Sequence, residues 1–281
     1  IVDISRKQPA GLAQLVRLTN PLSSDMDALR PSLLVGLLDA VGHNHSQRNP
    51  DVALFEIGRR FEWSGTLPRE EVTVAIAISG SRSTPFWQGA ERDAQVDFYD
   101  LKGIIQEFLA SLGLQAVTFT KREPVPEHFL GESAEISIGG KIRIGEMGQL
   151  NRLLQDQFQI KAPVFVAELD LNQILARRTT TKSFKPLPQF PSIRRDLALL
   201  VNETVTHDAV LNVVRQARPA NLESTELFDV FRGKNVPAGQ KSVAYAFIYR
   251  HAGRTLTDQE VNAAHEDLVR RLREQLDAVV R

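Results

Sequence analysis

The chain has 281 residues, enough for two domains. Hydrophobic residues make up 42% and charged residues 24%, which excludes wholesale disorder and collagen-like repeats. Basic and acidic residues balance at 34 each, so no global basic field advertises nucleic acid. The absence of cysteine excludes disulfides, zinc–thiolate sites, iron–sulfur clusters and thiol catalysis.

The first residue is Ile1, and no basic stretch precedes an apolar one in the manner of a signal peptide. The most apolar runs, Leu33 to Val41 and Val72 to Ile78, fall far short of the ~20 residues a membrane span needs. The expectation is a soluble, cytoplasmic piece that begins inside a longer protein.

In chain order, Leu33, Leu34, Leu37, Leu38 and Val41 recur at helical spacing after Pro31, a favourable first-turn residue. Strand-like runs follow at Val52 to Phe61 and at Val72 to Ile78, the second alternating with a period of two. Asp97 is placed to cap a helix whose apolar face is Phe98, Leu101, Ile104, Ile105, Phe108 and Leu112. Ile136 to Ile144 reads as two alternating strands around Gly139-Gly140, a pair free to take the positive φ angles of a tight hairpin. A further helix, a strand at Pro163 to Leu169 and a short helix at Leu171 to Ala176 complete a mixed, largely antiparallel α+β domain.

Apolar periodicity then stops. Arg177-Arg178-Thr179-Thr180-Thr181-Lys182, followed by Pro186, Pro188 and Pro191, reads as a linker. The expected boundaries are a first domain at 1–178, a linker at 179–191 and a second domain at 192–281. A cut after Thr181 leaves 19 basic and 22 acidic residues before it and 15 and 12 after it, a mild basic bias in the second half.

The second half reads as strand 194–201, helix 206–217, strand 225–231, strand 241–250, helix 258–276 and a last strand at 278–280. Thr206 and Thr257 are expected N-caps, and Thr257 with Glu260 forms a capping box. The order βαββαβ is the ferredoxin-like arrangement, with two helices on one face of a four-stranded sheet.

Standard catalytic signatures are missing: there is no G-x-x-x-x-G-K-[ST], no G-x-S-x-G and no H-E-x-x-H. His43 and His45, two apart on a helix, point away from each other and cannot share a metal. No metal site is expected.

Several longer motifs carry a resemblance. Asn20-Pro21-Leu22-Ser23-Ser24, Leu29-Arg30-Pro31-Ser32-Leu33-Leu34, Ala53 to Phe61, Asp100-Leu101-Lys102-Gly103 and Ile144 to Gly148 resemble the β subunit of bacterial phenylalanyl-tRNA synthetase. Phe190 to Leu199, Leu227 to Phe231 and Arg254 to Val261 resemble that subunit's ferredoxin-fold anticodon-binding domain. The resemblance implies a class II synthetase-like antiparallel sheet domain followed by a ferredoxin-like domain. It also implies a catalytic α subunit in an α2β2 assembly, tRNA(Phe), and ATP with Mg2+ for the holoenzyme. It implies no cofactor for this stretch.

Class II enzymes set one arginine of motif 2 and one of motif 3 against ATP phosphates, because adenylyl transfer spreads negative charge over non-bridging oxygens. Aligned on motif 2, Glu62 stands where the arginine belongs and Ser64 where a glutamate belongs. Aligned on motif 3, Glu168 and Asp170 replace glycines and Gln173 replaces the arginine. The expectation is a catalytic fold without catalysis, its pocket lacking both guanidinium groups. A one-residue slip would put Arg59 or Arg60 at the motif-2 position.

In the second domain, Tyr245, Phe247 and Tyr249 share one strand face with Val243, and Ala244, Ala246 and Ile248 share the other. The small set suits packing beneath helices, so the rings are expected on the open face, ready to stack unpaired bases. Arg194, Arg195, Arg232, Lys234, Lys241, Arg250 and Arg254 are the expected phosphate contacts. The competing reading packs the rings against protein and leaves the charges solvated. Arg195-Asp196 is also open to reading as a structural ion pair.

Overall fold

A computed structural model describes residues 15–21, 27–84, 86–89, 92–114, 116–123, 130–179, 184 and 186–281. Leu22-Ser23-Ser24 and five positions of the expected linker (180–183 and 185) lie outside them. The chain divides into two compact units, Ile1–Ser183 and Phe184–Arg281.

The first unit is a six-stranded sheet in which every neighbouring pair is antiparallel, flanked by helices on both faces. Its strands are β1 (Val52–Trp63), β2 (Pro68–Ser79), β3 (Val117–Arg122), β4 (Leu130–Ile138), β5 (Ile142–Leu150) and β6 (Val164–Asp170), in the order β1-β2-β6-β5-β4-β3. Helix α1 (Leu34–Ser46) covers one face. Leu33, Leu34, Leu37, Leu38 and Val41 pack there on Ala75, Ala77, Val164 and Val166, so these leucines are internal core. Each such side chain contributes roughly 1.5–3 kcal/mol of apolar burial. Helix α2 (Phe98–Ser111) covers the other face through Leu101, Ile105 and Leu109. Asp97 caps it, with Asp100 completing a capping box. The short helices α3 (Arg152–Gln157) and α4 (Leu171–Leu175) follow β5 and β6. Gly139 and Gly140 form the hairpin turn at φ 60° and 67°, where a Cβ would be strained.

The second unit contains β7 (Ile193–Asn202), α5 (His207–Ala217), β8 (Leu222–Phe231), β9 (Gln240–Tyr249), α6 (Asp258–Leu276) and β10 (Val279–Val280). The sheet order is β10-β7-β9-β8, the ferredoxin-like topology. Thr206 accepts from the Ala209 N–H, and Thr257 with Glu260 forms the expected capping box. Both helices lie on one side of the sheet. Val210, Val213, Val214, Val261, Leu268 and Leu272 are their buried contacts. No helix is long and apolar enough to cross a membrane among the described residues.

Candidate functional site: a charged cleft and an open sheet face

In the first unit, side chains from β1, β2, β5 and β6 enclose a cleft of about 330 Å³. Arg60, Arg69 and Arg143 line it together with Glu71, Glu146, Glu168 and Asp170. The expected absence of both motif arginines is corrected in part: Arg60, a position that a one-residue slip would give to motif 2, lines the cleft, the motif-3 segment contributes no arginine, and Arg69 and Arg143 come from β2 and β5, with four carboxylates facing all three.

Arg60 is the most enclosed of the three. Its Nε lies 2.9 Å from Glu71 Oε2 and its Nη1 lies 3.5 Å from Glu168 Oε2. Burial opposes its charge, but Glu168 and Glu71 outweigh that and hold its pKa above the ordinary arginine value. Arg69 pairs with Glu71 at 2.6 Å, and Arg143 pairs with Glu146 at 3.1 Å and Glu135 at 3.4 Å. Arg59, one residue away on an alternating strand, pairs with Glu70 instead at 2.9 Å.

Glu168 is buried, and burial pushes its carboxyl above the usual carboxylate range against the opposing pull of Arg60 and of its hydrogen bonds. Oε1 accepts from the Leu33 N–H at 2.8 Å and from Ser32 Oγ at 3.1 Å. Leu33 offers no side-chain cap to α1. A carboxylate from β6 therefore satisfies an orphan donor at the start of that helix.

The remaining motif positions disperse. Glu62 is exposed, opposite Arg69 in the β1–β2 register, and does not line the cleft. Ser64 donates to the Leu67 carbonyl at 2.7 Å in the hairpin turn. Asp170 reaches the cleft rim but also accepts from the Gln173 N–H at 2.9 Å, capping α4. Gln173 lies outside the lining, its Oε1 accepting from Arg177 at 2.6 Å. Sequence reasoning missed Arg69 and Arg143, which belong to neighbouring strands and to neither motif.

In the second unit the expected platform of rings is overturned. Tyr245, Phe247 and Tyr249 are 1%, 0% and 0% exposed and face the helices. The helices present mainly valine and leucine to the sheet, so large rings on β9 fill the layer between them. The tyrosine hydroxyls find partners there: Tyr245 OH lies 3.0 Å from His207 Nδ1, and Tyr249 OH lies 3.1 Å from His265 Nδ1. Burial pushes both phenols up to about 12. Burial, and Arg195 after it, depress the His265 imidazole below its ordinary value.

The open face instead carries half-buried Ala198, Ala244 and Ile248 around a fully buried Ala246, with Phe228 and Phe231 from β8 at 48% and 46% exposure. A β-bulge lies between Leu227 and Asp229. The Arg194 guanidinium stands 5.3 Å from the Phe228 ring centroid. Asp196, Glu226 and Asp229 share this face.

The seven expected cations differ in their surroundings. Arg194 is on the open face, with Nε 2.7 Å from Asp196. Arg195 is on the helix face, bound to Asn262 at 3.0 Å and paired with Asp258. It anchors α6, and Asp196 pairs with Arg194 rather than with Arg195. Arg232 chelates Glu203 through Nη2 at 2.6 Å and Nε at 3.1 Å, and holds that carboxylate below its ordinary pKa. Lys241 donates to the Glu203 carbonyl at 2.9 Å. Arg250 binds Glu223 at 2.9 Å and the Phe190 carbonyl at 3.3 Å. Arg254 binds Glu260 at 3.0 Å and holds it well below the carboxylate range. Lys234 is exposed in the turn after β8.

Residues 3–171 match the family described as phenylalanyl tRNA synthetase beta chain CLM domain, and residues 188–281 match the ferredoxin-fold anticodon binding domain. The phenylalanine–tRNA ligase beta subunit of Lactiplantibacillus plantarum is 35% identical over 272 residues, covering 96% of this chain and 33% of the relative. That of Latilactobacillus sakei is 38% identical over 264 residues, covering 93% and 32%. That of Geobacillus kaustophilus is 35% identical over 271 residues, covering 96% and 33%. The chain thus spans about a third of the length of the curated relatives it matches. Among solved structures, pyrrolysyl-tRNA synthetase from Desulfitobacterium hafniense matches 58% of this chain and 52% of its own at TM-score 0.44 and 16% identity, too slight a likeness to carry an argument. Two domain matches in the order the motifs run, and relatives matching across nearly all of the chain, place it in the phenylalanine–tRNA ligase beta subunit family.

Proposed function

We propose that this chain supports a catalytic alpha subunit and holds the anticodon region of tRNA(Phe), while the alpha subunit charges that tRNA with phenylalanine. In this reading the holoenzyme is a cytoplasmic α2β2 ligase. ATP and Mg2+ act on the alpha subunit, and the present chain performs no chemistry. The carrying observation is the open sheet face, where Phe228, beside Arg194, and Phe231 stand half-exposed among small side chains. Rings so placed stack unpaired bases, and each stacked base is worth about 1–3 kcal/mol. The carboxylates of Asp196, Glu226 and Asp229 repel phosphate but accept from base amino groups. The face therefore suits bases, with Lys234 and the strand-end arginines left to the backbone.

The non-catalytic part of the reading rests on the cleft. An arginine bound to two carboxylates must surrender them before it can hold a triphosphate, and four carboxylates repel one. Purified chain should show no phenylalanine-dependent ATP–pyrophosphate exchange; measurable exchange would refute this part.

A salt-resolved titration with tRNA(Phe) tests the first part. Phe228→Ala and Phe231→Ala should each weaken binding by about tenfold without changing the melting temperature. A second reading, an assembly module with negligible RNA affinity, draws support from the three carboxylates on the open face and from the many paired cations. No binding at low salt would decide for it.

A further inference from the structure

Resting on the reading that this chain works beside an alpha subunit, we propose that the subunit docks on the outer edge of β1 by adding an extended strand. β1 is the outermost strand of its sheet. At the hairpin end Ser64 N–H donates to the Leu67 carbonyl, so even-numbered backbone groups face β2. At odd positions the Phe61 N–H donates outward to the Arg30 carbonyl at 2.9 Å, and the Arg59 carbonyl accepts outward from Arg30 Nε at 3.0 Å. The β1–β2 register runs unbroken from Val52 to Trp63. Ala53, Phe55 and Ile57 therefore direct their N–H and C=O groups outward, and no described residue binds them.

The same residues expose their side chains. Phe55 is 71% and Ile57 58% exposed. Phe55, with Ala53, borders an apolar cavity of about 340 Å³ that Ile104 and Phe108 of α2 close on the far side. Natural edges are blunted by lysine, proline or bulges, and Ala53 to Ile57 carries none of these. A docked helix would fill the cavity but leave the outward backbone groups unmatched. An extended segment with alternating apolar side chains satisfies both. The segment ending at Arg30 already covers the edge at 59–61, so the incoming strand would continue that cover toward Ala53.

The test measures binding of the purified alpha subunit of the same ligase to the whole chain. Phe55→Asp charges the apolar face, and Ile57→Pro removes an outward N–H at a place where an edge strand tolerates proline. Both should weaken binding by about tenfold or more, while Leu153→Asp, at an exposed position on α3, should leave it unchanged. Thermal unfolding checks each variant, and Phe55→Ser replaces Phe55→Asp should the latter unfold. Wild-type affinity in folded edge variants would overturn the inference and leave the partner reading standing. Absence of wild-type binding would remove both. Self-association of the wild type that these variants abolish would overturn it in favour of a second copy.

Discussion

The carboxylate of Glu168 on β6 accepts a 2.8 Å hydrogen bond from the Leu33 N–H at the start of α1, and its other oxygen faces Arg60. One buried side chain thus joins a helix start to the sheet. Glu168→Ala should destabilise the first unit by about 1–3 kcal/mol, because it strands the buried Leu33 donor and leaves the Arg60 guanidinium with Glu71 alone of its two carboxylate partners. Glu168→Gln keeps an acceptor for Leu33 and should cost less. Burial raises the folded-state pKa of Glu168, so folding favours its protonated form. Its contribution is fully present below the unfolded pKa and is lost as pH rises through the folded one. Denaturant titrations across that window should show this slope in the wild type and a shallower one in Glu168→Gln.

His265 works in the opposite sense. Its folded-state pKa is depressed by burial and then by Arg195, with Glu266 opposing. Stability is present above the unfolded value of about 6.5 and is lost as pH falls through the folded one. His265→Phe should flatten this acid-side loss. Tyr249→Phe, which removes the hydroxyl 3.1 Å away, should cost about 1 kcal/mol at neutral pH. Urea midpoints at several pH values check both.

Tyr245 and Phe228 are predicted to separate folding from recognition. Tyr245→Ala opens a cavity beneath the helices and should lower stability by about 3–5 kcal/mol. Any loss of tRNA binding would then follow the unfolded fraction. Phe228→Ala should leave the melting curve in place and change only the titration. A Tyr245→Ala protein that melts normally would contradict the packing described.

Gly145 sits on β5 at the cleft wall. A Cβ there would press on the Glu168 carbonyl oxygen and come within 2.9 Å of Leu169 Cα, both backbone atoms. Gly145→Ala should therefore part β5 from β6 and cost about 1–3 kcal/mol. Gly103 has open space around its would-be Cβ and is the matched control. Comparative denaturant melts decide the point.

The element order was legible because local signals were strong. Asp97, Thr206 and Thr257 carry their caps, and Gly139-Gly140 makes its hairpin. β3 was not legible: Val117-Thr118-Phe119-Thr120 is short and half-buried, with little to distinguish it from a loop. On β9 the alternation was correct but its direction was not. A period of two sorts side chains into two sets without saying which set meets the helices. That depends on how much volume α5 and α6 leave, a tertiary quantity that no strand records about itself. In the cleft, the motif-3 carboxylates Glu168 and Asp170 were legible, whereas Arg69 and Arg143 arrive from separate strands that only the sheet order brings together.

The irregularity in β8 settles which rings can work as a pair. Phe228 and Phe231 are three positions apart, an odd separation that uniform pleating assigns to opposite sides. The additional residue reverses the parity, so Leu227 lies opposite Tyr245 on the helix side while Phe231 lies opposite Ser242 on the other. Regular pleating of the same residues, without the bulge, would send one ring inward. Whatever two-point grip these phenylalanines exert is thus written in the length of the strand as much as in their identity.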